Sequence, residues 1–555
     1  MFKPAALALA AALLPIAALA QAPAPKPATA PTGIAAAERS INPENIRAHV
    51  KFLADDALEG RYPGLRGGDL AALYIATQFQ LFGLTPAGDN GTFFQHIDFV
   101  GMKANPASTT MSIHPEHGKP IALKFADDYA VSNQTLTAAT DVDAPIVFVG
   151  YGATAPEFDW NDYAGIDVKG KVILCIVGDP PSDDPKFFAG KALTYYGRWT
   201  YKFEQAARMG AVGALIIHRT DLASYGWDVV KNSNTGEKTY LRDDLNPRLK
   251  AASWIQLDVA KKIFAAANLD FDKTFDSAGH RGFHAIELPV RLKVHIESTV
   301  RPFQSSNVVA MLPGSQKSGA VLYSAHYDHL GFVPNMPGDN IYNGAADNAT
   351  GTAMVLELAR AFAQSHLHPA HSILFAAVTA EEQGLLGSAY LGQHPPIPNA
   401  QIALNLNYDD IQPFGDPLQT KVEGAERTSF YPTVQATAKR FGLQIVPDEH
   451  PEAGHFYRSD HFSMARVGVP AFSVGNGTLW RGHDAAWGLA KEDDYVAHRY
   501  HNFSDNYTPD MDFTGNAKLA RFGMDLGWQA LTSPTPITWH HGDEFEPARL
   551  ASQKK

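Results

Sequence analysis

The stretch 325–331, AHYDHLG, decides how this chain reads, because an apolar run ends there on a metal-ligand residue, His326. The same pattern recurs twice: SILFAAVT (372–379) stops just before Glu381 and Glu382, and IALNLNYD (402–409) ends on Asp409. Asp347 instead opens a helical segment, NATGTAMVLELARAF (348–362), with Met354, Leu358 and Phe362 on one stripe. With His501 these residues make five potential metal ligands, and Glu381 is a spare carboxylate beside Glu382. Open α/β sheets place their ligands in the crevice at the carboxyl ends of the strands. The expectation is an α/β metallohydrolase.

At 555 residues the chain is long for one core, so two or more domains are expected. Hydrophobic residues make up 45% and charged residues 19%, ordinary values for a globular protein. The formal charge is -12 and no block of Lys and Arg suggests a nucleic-acid surface.

Residues 1–20 read as an export signal: Lys3, then the apolar run ALALAAALLPIAALA, then Ala18-Leu19-Ala20 before Gln21. A membrane anchor fits less well, since the run is shorter than about 20 residues and broken by Pro15. Residues 21–39 follow as an Ala/Pro-rich linker, expected to be extended and disordered. No later stretch is apolar enough to span a bilayer, so the expectation is a periplasmic or secreted protein. Cys175 is the only cysteine, which excludes a disulfide within the chain; in KVILCIVG it reads as a small buried hydrophobe.

INPENIRAHVKFLADDALEGRY (41–62) and GDLAALYIATQFQLFG (68–83) read as two opening helices. From about residue 140 the pattern turns to strands, PIVFVGYG, VKGKVILCIVG and VGALIIH, with only KFEQAARMG clearly helical between them. LPVRLKVHIES (288–298) and NVVAMLPG (307–314) then resume long strands. The simplest division is a catalytic domain of residues 40–140 and 290–545, interrupted by an inserted β-rich domain at 141–289; three consecutive domains are the alternative.

Two zinc ions about 3.5 to 4 Å apart need a carboxylate that bridges them, further ligands on each, and room for a shared water. Two His and three carboxylates meet that demand, and with a hydroxide they neutralise the charge of two Zn²⁺. Glu382 can then face a metal while Glu381 faces the water, since adjacent residues at a strand end point in different directions. Asp328, two residues after His326, is placed to accept the imidazole N–H. His329, His455, His461 and His498 exceed what two sites need and read as loop or supporting residues, with Asp460 and His461 expected to line the substrate pocket. His540 and His541 receive no role.

In sequence order, AHYDHLG, NGAADNATGTA, TAEEQGLLGS, NLNYDDI, RSDHFSMARVGVPA and RYHNFSD resemble the motifs of the zinc-dependent aminopeptidases related to bacterial leucyl aminopeptidase and glutamate carboxypeptidase, over residues 40–530. Residues 147–181 and 202–217 are similar to the protease-associated domain found within members of that family. The resemblance implies a helix-flanked mixed β-sheet and two Zn²⁺, with His326 and Asp409 on one, Glu382 and His501 on the other, and Asp347 bridging. It implies Glu381 as general base and, at Tyr500, a phenol that stabilises the oxyanion. One departure is Asp410, where relatives usually carry Met. It leaves Asp409 and Asp410 both open as the ligand, although strand alternation favours Asp409.

The reading is an exported di-zinc exopeptidase, an aminopeptidase acting on peptides. A carboxypeptidase or dipeptidase on the same scaffold would need a cationic pocket for a terminal carboxylate, for which Arg458 is a candidate. A single-zinc glutaminyl-cyclising transferase and a non-enzymatic receptor-like protein remain as alternatives, and both sit poorly with a complete ligand set.

Overall fold

A computed structural model describes residues 33–554 except 224, 317 and 366. The export signal and most of the linker therefore lie outside the described residues. The end of the linker does not stay extended: Ile34–Ser40 is a helix, and its Ala37 is fully buried in the main core.

Four strands run parallel through the centre of the principal sheet, in the order Ser372–Val378, Ala320–His326, Ile402–Tyr408, Ala471–Asn476. Ile286–Leu312 flanks them antiparallel on one side and Gln419–Glu423 on the other, so the sheet is mixed. Ala320–His326 and Ser372–Val378 are buried at every position, which is why they read as continuous apolar runs rather than as alternating ones. Alternate residues still face different cores. Val321, Tyr323 and Ala325 pack beneath the helices Pro43–Leu53, Arg66–Leu81, Gly351–Gln364 and Thr514–Thr532, and Leu322 packs with Leu391, Phe462 and Met464 on the other face. The helix-flanked mixed α/β sheet expected from the resemblance is borne out.

The two opening helices form at Pro43–Leu53 and Arg66–Leu81. In the first, Asn42 caps the helix by accepting the Glu44 N–H at 3.0 Å. Met354, Leu358 and Phe362 are buried as their stripe suggested, but so is nearly all of Gly351–Gln364, because helices cover it on the side away from the sheet.

A second sheet contains Ala139–Phe148, Val172–Ile176, Gly213–Ile217 and Ala251–Ile255 in parallel. It starts earlier than residue 141, since Thr110–Pro115, Ile121–Leu123 and Tyr129–Ser132 also pair within it. The region is also more helical than the strand pattern suggested: Trp227–Thr235, Leu257–Ala266 and Phe271–Ala278 join Trp199–Arg208. Leu257–Ala266 buries Val259, Ala260, Ile263 and Phe264, a helical spacing embedded in a short segment that periodicity alone left unassigned. Cys175 is buried in this second core, as expected.

The two strands read at 288–298 and 307–314 are one, Ile286–Leu312, which pairs with the second sheet in its first half and the principal sheet in its second. A further strand, Lys238–Leu241, leaves the 141–289 block to pair with Phe94–Ala104 of the principal sheet. The second region also packs against residues 451–466 of the first: Leu193 N–H donates to Pro451 O at 2.9 Å, the Tyr195 and Phe462 rings are 4.8 Å apart, and Arg466 pairs with Glu204 at 3.1 Å.

His49 is 8% exposed beneath this core, with Nδ1 2.8 Å from the Tyr74 hydroxyl, and burial lowers its pKa to about 4. Unfolding returns it to the ordinary value near 6.5, so between these values the unfolded chain binds the extra proton and stability falls as pH drops. Chemical denaturation at pH 7 and 4.5 should therefore show a smaller acid loss in His49→Gln than in the wild type, by about 2 kcal/mol.

Candidate metal centre

The carboxyl ends of the parallel strands deliver the expected residues to one place. His326 ends its strand, and Asp409 directly follows Ile402–Tyr408. Glu381 and Glu382 come after Ala380, whose positive φ of 56° turns the chain out of Ser372–Val378. Asp347 lies in the turn before Gly351–Gln364 and is 4% exposed.

The geometry divides into two halves around Asp347. His326 Nε2 is 3.3 Å from Asp347 Oδ1 and 3.1 Å from Asp409 Oδ1. His501 Nε2 is 3.1 Å from Asp347 Oδ2 and 3.1 Å from Glu382 Oε2. Each half thus has one imidazole nitrogen, one terminal carboxylate oxygen and one of the two Asp347 oxygens. Ligand bonds of 2.0 to 2.1 Å in a tetrahedron put donor atoms about 3.3 Å apart. His326, Asp347 and Asp409 gather at a spacing that suits a metal ion, and around Glu382 the nitrogens that gather with Asp347 are those of His329 as well as His501.

The electrostatics point the same way. Burial would raise the Asp347 carboxyl, but His329 and the bonds from His326 and His501 hold it well below the usual range. Burial would likewise raise Glu382, yet His501 and His329 outweigh it and bring it to about 2. Burial opposes charge on His326 and His501 too, and the carboxylates overcome it and push both pKa values well up. The buried acids demand positive charge, which two protonated imidazoles or bound cations can supply.

Glu381 stands apart from the donor sets, 4.0 Å from His326 Nε2, and lines the cavity in front of them. Burial raises its pKa well above the ordinary value, and Glu382, Asp409 and Asp460 add to the rise against His326. Tyr500 is 42% exposed, lines the same cavity and stacks on the His501 ring at 4.0 Å. Arg458 also faces this cavity, which has a volume of about 330 Å³. A larger cavity of about 780 Å³ adjoins it through Lys421, Glu423 and His455, but holds none of the donor residues.

Several expectations change. The Asp328 carboxylate does not take the His326 N–H: Oδ1 is 3.9 Å from Nδ1, whereas the Asp328 backbone oxygen is 3.2 Å away. The carboxylate instead accepts the Glu381 N–H at 3.2 Å, so it positions the Glu381 turn. Asp460 and His461 are 1% and 0% exposed and do not line the cavity, because they begin the helix His461–Arg466 whose first turn packs into the core, with the His461 ring against Phe456. Asp409 Oδ1 is the oxygen beside His326 Nε2, at 3.1 Å, whereas Asp410, with a φ of 53°, lines the same cavity and accepts the Tyr495 hydroxyl at 2.8 Å.

His329 supports the site as expected, and three further contributors, Ser459, Asp505 and Arg61, were not foreseen. His329 Nδ1 is 2.5 Å from Glu382 Oε1, so it orients the carboxylate whose other oxygen faces His501. Ser459 donates to Asp409 Oδ2 at 2.5 Å. Asp505 accepts the Ala346 and Asp347 N–H groups at 3.1 Å and so holds the loop of the central carboxylate. Arg61, 1% exposed, donates to the carbonyls of Tyr327, Leu53, Asn343 and Gly344, behind the acids. His329 sits inside AHYDHLG and Asp505 inside RYHNFSD, so proximity to a motif was the available signal; nothing local marks Arg61.

Residues 307–521 match the model of peptidase family M28. That span contains all five donor residues and Glu381, and the family resemblance read from the motifs is borne out. Leupeptin-inactivating enzyme 1 of Streptomyces exfoliatus is 28% identical over 208 residues, covering 34% of this chain and 42% of its own. A probable zinc metalloprotease of Pyricularia oryzae is 46% identical over 94 residues, 17% of this chain and 18% of its own. The chain thus spans less than half the length of these curated relatives. An aminopeptidase from Aneurinibacillus sp. strain AM-1 shares the fold, with a TM-score of 0.51 at 20% identity over 90% of this chain and 96% of that one.

Replacing Arg61 with Met leaves four buried carbonyls without their donor. Unsatisfied buried groups cost about 1 to 3 kcal/mol each, so Arg61→Met should lose at least about 3 kcal/mol by chemical denaturation.

Proposed function

We propose that this protein is an exported, zinc-dependent exopeptidase of the M28 type, an aminopeptidase that holds two Zn²⁺ and removes N-terminal residues from peptides. The observation that carries this reading is the division of the Asp347 oxygens between His326 and His501, each with its own second carboxylate. The charged start and apolar run of residues 1–20 support export. No helix among the described residues is long and apolar enough to cross a membrane.

His326, Asp347 and Asp409 would hold one ion and His501, Asp347 and Glu382 the other. When bound, zinc would polarise the scissile carbonyl and acidify the attacking water. Glu381 is free of both donor sets and faces the cavity, so it takes the proton from that water and returns it to the leaving amine. Tyr500 lines the cavity with its ring stacked on His501, and its phenol would donate to the developing oxyanion. Ser459, His329 and Asp505 hold the three carboxylates in register. A receptor-like protein without catalysis would not need a spare carboxylate in front of a complete donor set.

Hydrolysis of leucine p-nitroanilide, with its N-acetylated form as control, tests the reading. The free amine form should be cleaved and the acetylated form left intact; equal cleavage of the acetylated form would show that no free N-terminus is needed and would contradict the aminopeptidase reading. Glu381→Gln should lower kcat by about 10²-fold or more while metal content is unchanged. Near wild-type turnover in that variant would place the base elsewhere.

A further inference from the structure

The two imidazoles of the metal centre are held in different ways. His326 ends a buried strand and its side chain is 1% exposed, whereas the His501 side chain is 37% exposed. His501 follows the helix Ala485–His498, in which only Gly488 and Tyr495 are buried and Leu489 and Val496 are exposed. The core of the sheet fixes the first imidazole, and the second depends on how its own segment is tied down.

Two ties flank His501 along the chain. After it, Asp505 accepts the Ala346 and Asp347 N–H groups, and the Phe503 ring lies 4.2 Å from that of Tyr342. Before it, the tie is Tyr495. The Tyr495 carbonyl accepts the N–H groups of both Arg499 and Tyr500 at 2.8 Å, which closes the turn into His501, where φ is 53°. The Tyr495 hydroxyl donates to Asp410 Oδ1 at 2.8 Å. One residue thus joins the turn that presents His501 to the carboxyl end of the strand Ile402–Tyr408, where Asp409 and Asp410 follow in succession. Other contacts of the helix lie farther from the turn, such as Glu492 with Lys421 at 3.3 Å and the Trp487 ring 6.2 Å from Phe414.

A carboxylate at position 410 is unfavourable in itself, since it stands beside Asp409 in a site already rich in acids, and like charges at short range repel. An apolar side chain would avoid that repulsion but would leave the hydroxyl of the buried Tyr495 without its acceptor. We propose that Asp410 and Tyr495 are positioning residues for His501: their hydrogen bond sets the turn that carries this imidazole, and with it the affinity for the ion that His501, Asp347 and Glu382 would hold. The inference rests on the two-ion reading above and adds to it two residues outside the donor sets. Groups that orient a metal ligand from behind change metal affinity by about 10 to 100-fold.

The test titrates dialysed protein with zinc and follows two binding constants by competition with a chromophoric chelator. In Tyr495→Phe and Asp410→Ala one constant should weaken by about 10-fold or more while the other is unchanged, and the unchanged site reports an intact fold. Asp410→Asn keeps an oxygen that accepts from the phenol, so it should recover most of the lost affinity. Asp410→Ala combined with Tyr495→Phe should lose no more than either alone, because both remove the same bond. Anomalous scattering from crystals at limiting zinc assigns the weakened site, with the lower occupancy expected beside His501. Constants that are unchanged or equally weakened in the variants overturn the inference, and so does a loss confined to the ion beside His326. A raised KM for leucine p-nitroanilide with unchanged metal affinity also overturns it, because Asp410 would then act on substrate. A wild type that binds a single ion would instead overturn the two-ion reading itself.

Discussion

Four carboxyl groups, the buried Asp347 and the partly buried Glu381, Glu382 and Asp409, converge within a few ångströms, and the surrounding contacts hold them there. Like charges so close and so poorly hydrated repel strongly. The site answers with two imidazoles aimed at the two oxygens of Asp347, and the donor spacing suits divalent cations in the same positions. Asp347 is therefore the residue on which the others depend. Its 4% exposure leaves no solvent to share the charge, and its loop is tied by Asp505 on one side and Arg61 on the other.

The scaffold reaches this arrangement by an ordinary route. Parallel strands buried on both faces end at one edge, and residues at or just beyond those ends, His326, Glu381, Glu382 and Asp409, enter the crevice there. Where finer control is needed, an isolated backbone feature provides it: positive φ at Ala380 re-aims the Glu381–Glu382 pair, and positive φ at Asp410 sends that carboxylate to Tyr495. Of two adjacent aspartates, one meets His326 and the other Tyr495.

Much of the principal sheet was legible because strands such as Ala320–His326 are continuous apolar runs with chemistry at their ends. The donor residues were legible for the same reason, and strand alternation already favoured Asp409 over Asp410. What could not be read is what depends on contacts between distant segments. Arg61 becomes meaningful only when the opening helices pack behind the Asp347 loop, and His329 meets Glu382 only through the fold of two separate loops. Asp460 and His461 looked like pocket residues because they lie within the motif RSDHFSMARVGVPA, but the start of a helix turns them into the core instead. The second region resisted reading because its helices are short and its long shared strand, Ile286–Leu312, passes through both sheets without a break signal.

The central claim is that Asp347 bridges two ions, one shared with His326 and Asp409 and the other with His501 and Glu382. Anomalous X-ray scattering at the zinc edge, from crystals of zinc-reconstituted and dialysed protein, measures this directly. The account predicts two peaks about 3.5 to 4 Å apart on either side of the Asp347 carboxylate. A single peak, or two peaks that do not share Asp347, would contradict it.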